Sequence, residues 1–170
     1  MMKSEIYQGN IMKKIVGAIV GLGFAGLVNA AGYGVVDIEK VVEGSTYLKQ
    51  QNASLEQTIK PQTAKLEQIS KDIQSLQQQA QAKGANPEQI QKQYQAKVTE
   101  YQTIQQSVQS KAQATIQATN TVFEARVKQA AEQLRQENGL DMVLNKNSAL
   151  AYDAKNDLTA KMIQKVNAIK

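Results

Sequence analysis

The sequence predicts an α+β chain: a long antiparallel α-helical coiled-coil hairpin set on a small β-rich body. Three observations carry that expectation. Apolar residues recur in steps of three and four along two long stretches. The stretches mirror one another about a Gly-Ala-Asn-Pro break. Short apolar runs of strand type lie only outside them.

Residues 1–30 read as a secretory signal peptide with an upstream extension. Met12-Lys13-Lys14 is basic, Ile15 to Val28 is apolar, and Val28-Asn29-Ala30 offers small residues where a signal peptidase reads them. Cleavage is expected between Ala30 and Ala31. The apolar run is short against the ~20 residues of a membrane-spanning helix. No Cys follows it, which excludes a lipid anchor on Cys. Residues 1–11 look unlike the rest, and Met1, Met2 and Met12 all remain open as the translation start. Export implies a compartment where disulfides form, yet the chain has no Cys and must be stabilised without them.

The mature chain opens on Tyr33-Gly34-Val35-Val36-Asp37-Ile38, which reads as a strand. Lys40 to Glu43 suits a short helical turn, Gly44 stops it, and Ser45 suits a cap on the next helix.

The hairpin arm is expected over residues 48–138. Its outgoing ladder is Leu55, Ile59, Leu66, Ile69, Ile73, Leu76 and Ala80, with a polar gap at Gln62. The return ladder is Ile90, Tyr94, Tyr101, Ile104 and Val108, with a polar gap at Lys97. Residue numbers of facing partners add to a constant: Ala80 with Ile90, Leu76 with Tyr94, Ile69 with Tyr101, Leu66 with Ile104. An antiparallel pair of heptad seams requires that relation. Ile73 falls opposite Lys97, with Val98 beside it. Gly84 suits the left-handed residue past a helix end, Asn86 an N-cap, Pro87 the first helical position, and Gln89 a capping box. At ~1.5 Å per residue the arm would reach roughly 50 Å. It has two kinds of defect. Pro61 removes a backbone donor inside the outgoing helix. Beyond Val108 the return helix steps by four to Ala112 and again to Ile116, a stutter that locally unwinds a supercoil.

After Gly139, Leu140-Asp141-Met142-Val143-Leu144 reads as a second strand and Ala149-Leu150-Ala151-Tyr152 as a third, joined by a polar turn at 145–148. A terminal helix follows, capped by Asn156 or Asp157, with Leu158, Met162, Ile163, Val166 and Ile169 on its apolar side. The body thus comprises 31–47 and 139–170. A core of that size is marginal alone, and its strands have free edges. Pairing with further copies of the chain is the simplest remedy.

Composition removes most chemistry. With no His, Cys or Trp, nucleophile–His pairs and Cys/His metal sites are excluded. Asp37, Glu39 and Glu43 lack the spacing of a calcium loop. There is no glycine-rich phosphate loop in the mature chain. No enzyme activity, cofactor or metal is expected. The net charge is +5, and +3 once Lys3, Lys13, Lys14 and Glu5 of the leader are set aside. That excess allows weak attraction to anionic membrane surfaces and no dedicated nucleic-acid binding. Gln is abundant on both arm helices, which keeps them soluble without a strong field.

The order signal peptide, strand, long helical hairpin, two strands and C-terminal helix resembles the Skp, or OmpH-like, family of periplasmic chaperones. Tyr33-Gly34-Val35-Val36-Asp37, Leu140 to Leu144, Ala149-Leu150-Ala151-Tyr152 and Asp157-Leu158-Thr159-Ala160 carry the resemblance, which covers the whole mature chain. It implies that three chains pool their strands into a small barrel. The hairpins would then enclose unfolded outer-membrane proteins without ATP. On that reading Val35, Val36, Ile38, Met142, Val143 and Leu144 form the trimer body. Tyr94, Val98, Tyr101 and Ile104, where the seam loosens, are candidate client contacts, the alternative being that the seam residues only zip the hairpin, and Val98 beside the seam is the foremost of them. The arms depart from the family in being Gln-rich and lightly charged, which argues against a basic tip or a lipopolysaccharide site built from one. The competing expectation is a structural coiled-coil protein of the envelope, a spacer or assembly partner without chaperone activity.

Overall fold

The computed structural model describes residues 32–82 and 86–170. The expected signal peptide, its cleavage site at Ala30 and the Gly84 turn lie outside them. The element order is β1 (Tyr33–Val36), α1 (Ile38–Gly44), α2 (Thr46–Gln79), α3 (Pro87–Glu137), β2 (Met142–Asn145) and α4 (Thr159–Ala168). Short 3-10 turns occupy Lys146–Ser148 and Ala154–Asn156. The chain is α+β and mostly helical.

It divides into two compact units. One comprises the chain up to Gln51 together with Ala118–Lys170, and the other is Asn52–Gln117. The boundary therefore falls within both long helices, and the first turn of α2 and the last turns of α3 belong with the strands.

In the strand-bearing unit β1 and β2 pair in parallel, Tyr33 opposite Met142 and Val36 opposite Asn145. Val35, Val36, Val41, Met162 and Val166 are almost fully buried, as are Phe123, Ala130 and Leu134 of α3. Helix starts and stops are local. Ser45 Oγ accepts the Leu48 N–H at 3.2 Å and caps α2. Gly139 ends the stretch after α3 at φ +60, a conformation in which a side chain would be strained. Arg126 stacks on Tyr47, 4.1 Å from the ring centroid.

Three expectations are corrected here. The first strand ends at Val36. Asp37 caps α1 through its carboxylate on the Lys40 N–H, and its own N–H donates to Thr159 Oγ1 at 2.9 Å, so Ile38 is helical and half-buried and does not join a strand. The second strand is Met142–Asn145, because Gly139 to Asp141 are spent on bringing the chain round, with Asp141 N–H on Gly32 O. The third strand is absent. Ala149–Tyr152 lies between the two 3-10 turns, and Leu150 is fully exposed. The outer edge of β1, the nearest place for it, is already taken: Leu158 N–H donates to Val35 O at 2.8 Å, beside a bridge between Val35 and Asp157.

At α4 the capping bond comes from Asp157, whose Oδ1 accepts the Thr159 N–H at 2.9 Å. Leu158, Met162 and Val166 form its buried stripe. Asn167 ties α4 to the junction of α1 and α2, donating to Gly44 O and accepting from the Thr46 N–H.

Candidate functional site

The second unit, Asn52–Gln117, holds the outer part of α2 and the first part of α3, and carries the residues expected to bind clients. Asn86 Oδ1 accepts the Gln89 N–H at 3.3 Å, and Pro87 opens α3, as the capping pattern requires. The helix α2 runs through Pro61 without interruption.

The ladder residues face inward except Ala80, which lies past the end of α2 and is exposed. Leu55, Ile69, Leu76 and Val108 are buried, while Ile59, Leu66, Ile73, Ile90, Tyr94, Tyr101 and Ile104 are half-buried. Polar contacts join the two helices at the Lys97 gap in the seam. Lys97 Nζ meets Asp72 Oδ2 at 2.8 Å and Glu100 Oε2 at 3.8 Å, and Lys65 Nζ meets Glu100 Oε1 at 2.7 Å. Gln68 adds a hydrogen bond to Asp72. The Lys97 ammonium, with help from Gln68, holds the Asp72 carboxyl below its ordinary range, and Asp72 in turn raises the Lys97 ammonium. Lys65 does the same to Glu100. Lys65 is exposed and Asp72, Lys97 and Glu100 are half-buried near the surface, where each such pair contributes little to stability. Their effect is on register.

The polar gap at Lys97 is thus resolved by an ion-pair cluster. The gap at Gln62 is not. Its Oε1 is buried and has no hydrogen-bond partner.

An open groove of about 460 Å³ includes the cluster in its lining, with Asp72, Leu76, Gln79, Gln93, Ala96 and Lys97 among the residues around it. The Gln79 and Gln93 amides in its lining are of a type that can donate to and accept from a polypeptide backbone. Among the described residues no group of three or more acidic side chains could hold a metal ion.

Tyr94, Val98, Tyr101 and Ile104 all sit on α3 in this unit, and all four are half-buried. In the other unit Val35 and Val36 are buried by their own chain, while Met142, Val143 and Leu144 stay half-buried. The large apolar side chains most open to solvent among the described residues are Leu150 and Val122, the latter 42% exposed. Leu150 belongs to the run expected as a third strand, and Val122 to no expected site. Val122 lies just off the buried positions Thr119, Phe123 and Val127, and that offset was its only signal.

Asp37 anchors the strand ends of the body. Lys146 Nζ donates to its Oδ2 at 3.0 Å, and that contact, opposed in part by burial, holds the Asp37 carboxyl below its ordinary value. Asp157 is lowered by its bonds from Thr159. On α3, Arg135 and Gln136 bring Glu132 down to about 2.

A two-stranded parallel sheet with flanking helices, in one chain with a long antiparallel helical pair, defines an α+β helical-hairpin protein. The chain belongs to the family of OmpH-like outer membrane proteins, whose model matches residues 32–166. The crystal structure of a candidate outer membrane chaperone (OmpH-like) from Caulobacter crescentus CB15 is similar in fold, with a TM-score of 0.67 at 19% identity. The match covers 86% of this chain and 91% of that one. No curated protein matches the chain.

Proposed function

We propose that the protein is an ATP-independent holdase of the periplasm that binds unfolded outer-membrane β-barrel proteins between its helical arms and keeps them from aggregating. The observation that carries this reading is the family match, which runs through both the strands and the two long helices. An unfolded membrane β-protein exposes apolar segments to water, at a cost of ~25 cal/mol per Å². Several weak contacts on separate arms offset part of that cost by multivalency, without imposing one geometry on the client. Half-buried Tyr94, Val98, Tyr101 and Ile104 supply partial apolar surface of this kind, and Gln side chains supply hydrogen bonds.

In this reading three chains assemble through residues 31–47 and 139–170, and residues 48–138 serve as the arm. The half-buried strand residues Met142, Val143 and Leu144 and the exposed Leu150 support self-association, since a single chain leaves them in water. The leader is cleaved near Ala30, which delivers the chain to the periplasm. Contact with anionic membrane surfaces is weak, and no cofactor or nucleic acid is required.

The test is the deletion of residues 60–110, joined by a short turn between Ile59 and Lys111, which the register sets opposite one another. A denatured outer-membrane protein is diluted into buffer with either form, and light scattering is followed. The mature protein suppresses scattering at stoichiometric ratio and the deletion variant does not. Full suppression by the deletion variant would move client binding to the body and defeat the reading.

A further inference from the structure

The chain has one Asn-Gly pair, Asn138-Gly139, and it stands just past the end of α3. Asparagine loses its side-chain amide most readily before glycine, because no side chain there keeps the next backbone nitrogen from the Asn carbonyl carbon. Both residues are exposed, and nothing lies within 4 Å of the place where a Gly139 side chain would begin. Water and hydroxide therefore reach the pair.

The fold occupies both groups that would react. Gly139 N–H donates to Gln136 O at 3.2 Å and Leu140 N–H to Arg135 O at 2.9 Å. These are the paired bonds of a Schellman motif, with Gly139 as its left-handed residue at φ +60. The Asn138 side chain is drawn back over the preceding turn, where its Nδ2 donates to Leu134 O at 2.8 Å. Its Oδ1 accepts from Lys161 Nζ of α4 at 3.2 Å. One turn further along α4, Lys165 Nζ meets Glu137 Oε1 at 2.6 Å and fastens the same corner. The nucleophile is thus tied to one carbonyl and the amide to another.

We propose that Asn138-Gly139 is a spontaneous deamidation site that the α3–α4 corner holds closed, so that a chain is modified when this corner opens. In the open chain Gly139 N gives its proton to hydroxide and attacks Asn138 Cγ. The N–Cγ bond forms, the Cγ–Nδ2 bond breaks, and Nδ2 leaves as ammonia. Water then opens the five-membered imide at either carbonyl, leaving aspartate or isoaspartate. Both products lose the Nδ2 donor on Leu134 O and put a carboxylate at the C-terminal end of α3, where the helix dipole disfavours it and Lys161 offsets only part of the cost. Isoaspartate also adds a carbon to the main chain ahead of Gly139. That displaces the Leu140 and Asp141 N–H groups from Arg135 O and Gly32 O, the bonds that lead the chain into β2. A modified chain recloses less firmly. The reaction involves the strand-bearing unit alone and is followed without client, so it stands apart from the chaperone reading.

The test keeps the mature protein, folded or held unfolded in guanidinium chloride, in mildly alkaline buffer. Peptide mass spectrometry follows the amide-to-acid conversion at residue 138, and an isoaspartyl-methyltransferase assay reports the isomer. Unfolded chains should convert at least tenfold faster than folded ones. Folded Lys161→Ala, which releases Asn138 Oδ1, should convert at least twofold faster than the folded parent. Gly139→Ala in guanidinium chloride should convert at least tenfold more slowly than the unfolded parent, a comparison that requires no folded variant. Modified chains, separated by their added negative charge, should unfold at lower denaturant than unmodified ones, with the isoaspartate fraction lowest. Equal conversion of folded and unfolded chains, or an unfolded Gly139→Ala chain as fast as its parent, would overturn the site. Modified chains as stable as unmodified ones would overturn its effect on the body.

Discussion

Gly34 is the residue at which the packing of the body can be tested most sharply. It lies in β1 opposite Val143 and is buried. A methyl group there would run into Leu158 Cδ1, and would sit 3.0 Å from Leu140 Cδ1 and 3.2 Å from Leu158 Cγ. Leu158 cannot retreat freely, because its N–H is held by Val35 O at 2.8 Å and its side chain is only 8% exposed. Overpacking of this kind costs about 1–3 kcal/mol. Gly→Ala recovers about 0.4–1 kcal/mol from the unfolded chain. Gly34→Ala should therefore destabilise the mature protein by about 1–2 kcal/mol. Leu158→Ala alone should cost about 2–5 kcal/mol by leaving a cavity. Combined, the added methyl enters space that the leucine vacates, so the double variant should lose less than the sum of the two by at least ~1 kcal/mol. Urea unfolding at one fixed protein concentration, with all four proteins measured, gives the coupling directly. Additive losses, or a neutral Gly34→Ala, would refute the packing argument.

Three further outcomes are expected. Val36→Lys and Val143→Lys, one buried and one half-buried in the strands, should each lose the folded body together with the proposed trimer, and analytical ultracentrifugation showing a folded monomer would contradict this. Raising salt several-fold should weaken binding of a labelled client by less than tenfold, under ~1.4 kcal/mol, since the arm charges are few or already paired, whereas Val98→Ser with Tyr101→Ser should cost more. A steep salt dependence with the Ser variant near wild type would assign binding to the Lys residues. Thermal stability should be flat from about pH 5 to 9. Asp37, Asp72, Glu100, Glu132 and Asp157 all have folded pKa values below their ordinary ones, so their stabilisation is full at neutral pH and is lost as pH falls through those lowered values, starting near 4. Lys97 and Lys146 are raised, so their share is lost only as pH climbs past the ordinary 10.5. Asp37→Asn should shallow the acid limb of a melting-temperature profile, and an unchanged limb would remove Asp37 from the account.

What the sequence shows and what it hides divides along the range of the forces involved. Caps at Ser45, Asn86 and Asp157, the stop at Gly139 and the opening Pro87 are set by neighbours a few residues away, and all are found where the pattern places them. The seam is readable for a similar reason: burial of Leu55, Ile69, Leu76 and Val108 follows from heptad spacing. The errors come from partners far along the chain. Asp37 leaves the strand because Thr159 takes its N–H, and Ala149–Tyr152 finds no strand partner because Leu158 occupies β1 first. Nor could spacing tell that Lys97 would be satisfied by Asp72 while Gln62 would not. That depends on which side chains reach across the seam.

The parallel pairing of β1 with β2 has a consequence for the order in which the molecule is made. Asp37 and Lys146, which close the strand ends, stand 109 positions apart in the chain. Loops of that length close slowly, and local helical contacts form much sooner. A chain emerging from its N-terminus therefore presents β1 long before β2 exists to pair with it. The two long helices can zip against each other as soon as both are made. The first strand is protected only when the last segment of the protein has been delivered. A chain interrupted before Met142 would be a helical hairpin with one unpaired apolar strand, and so itself a client for whatever keeps unfolded polypeptides soluble in the same compartment.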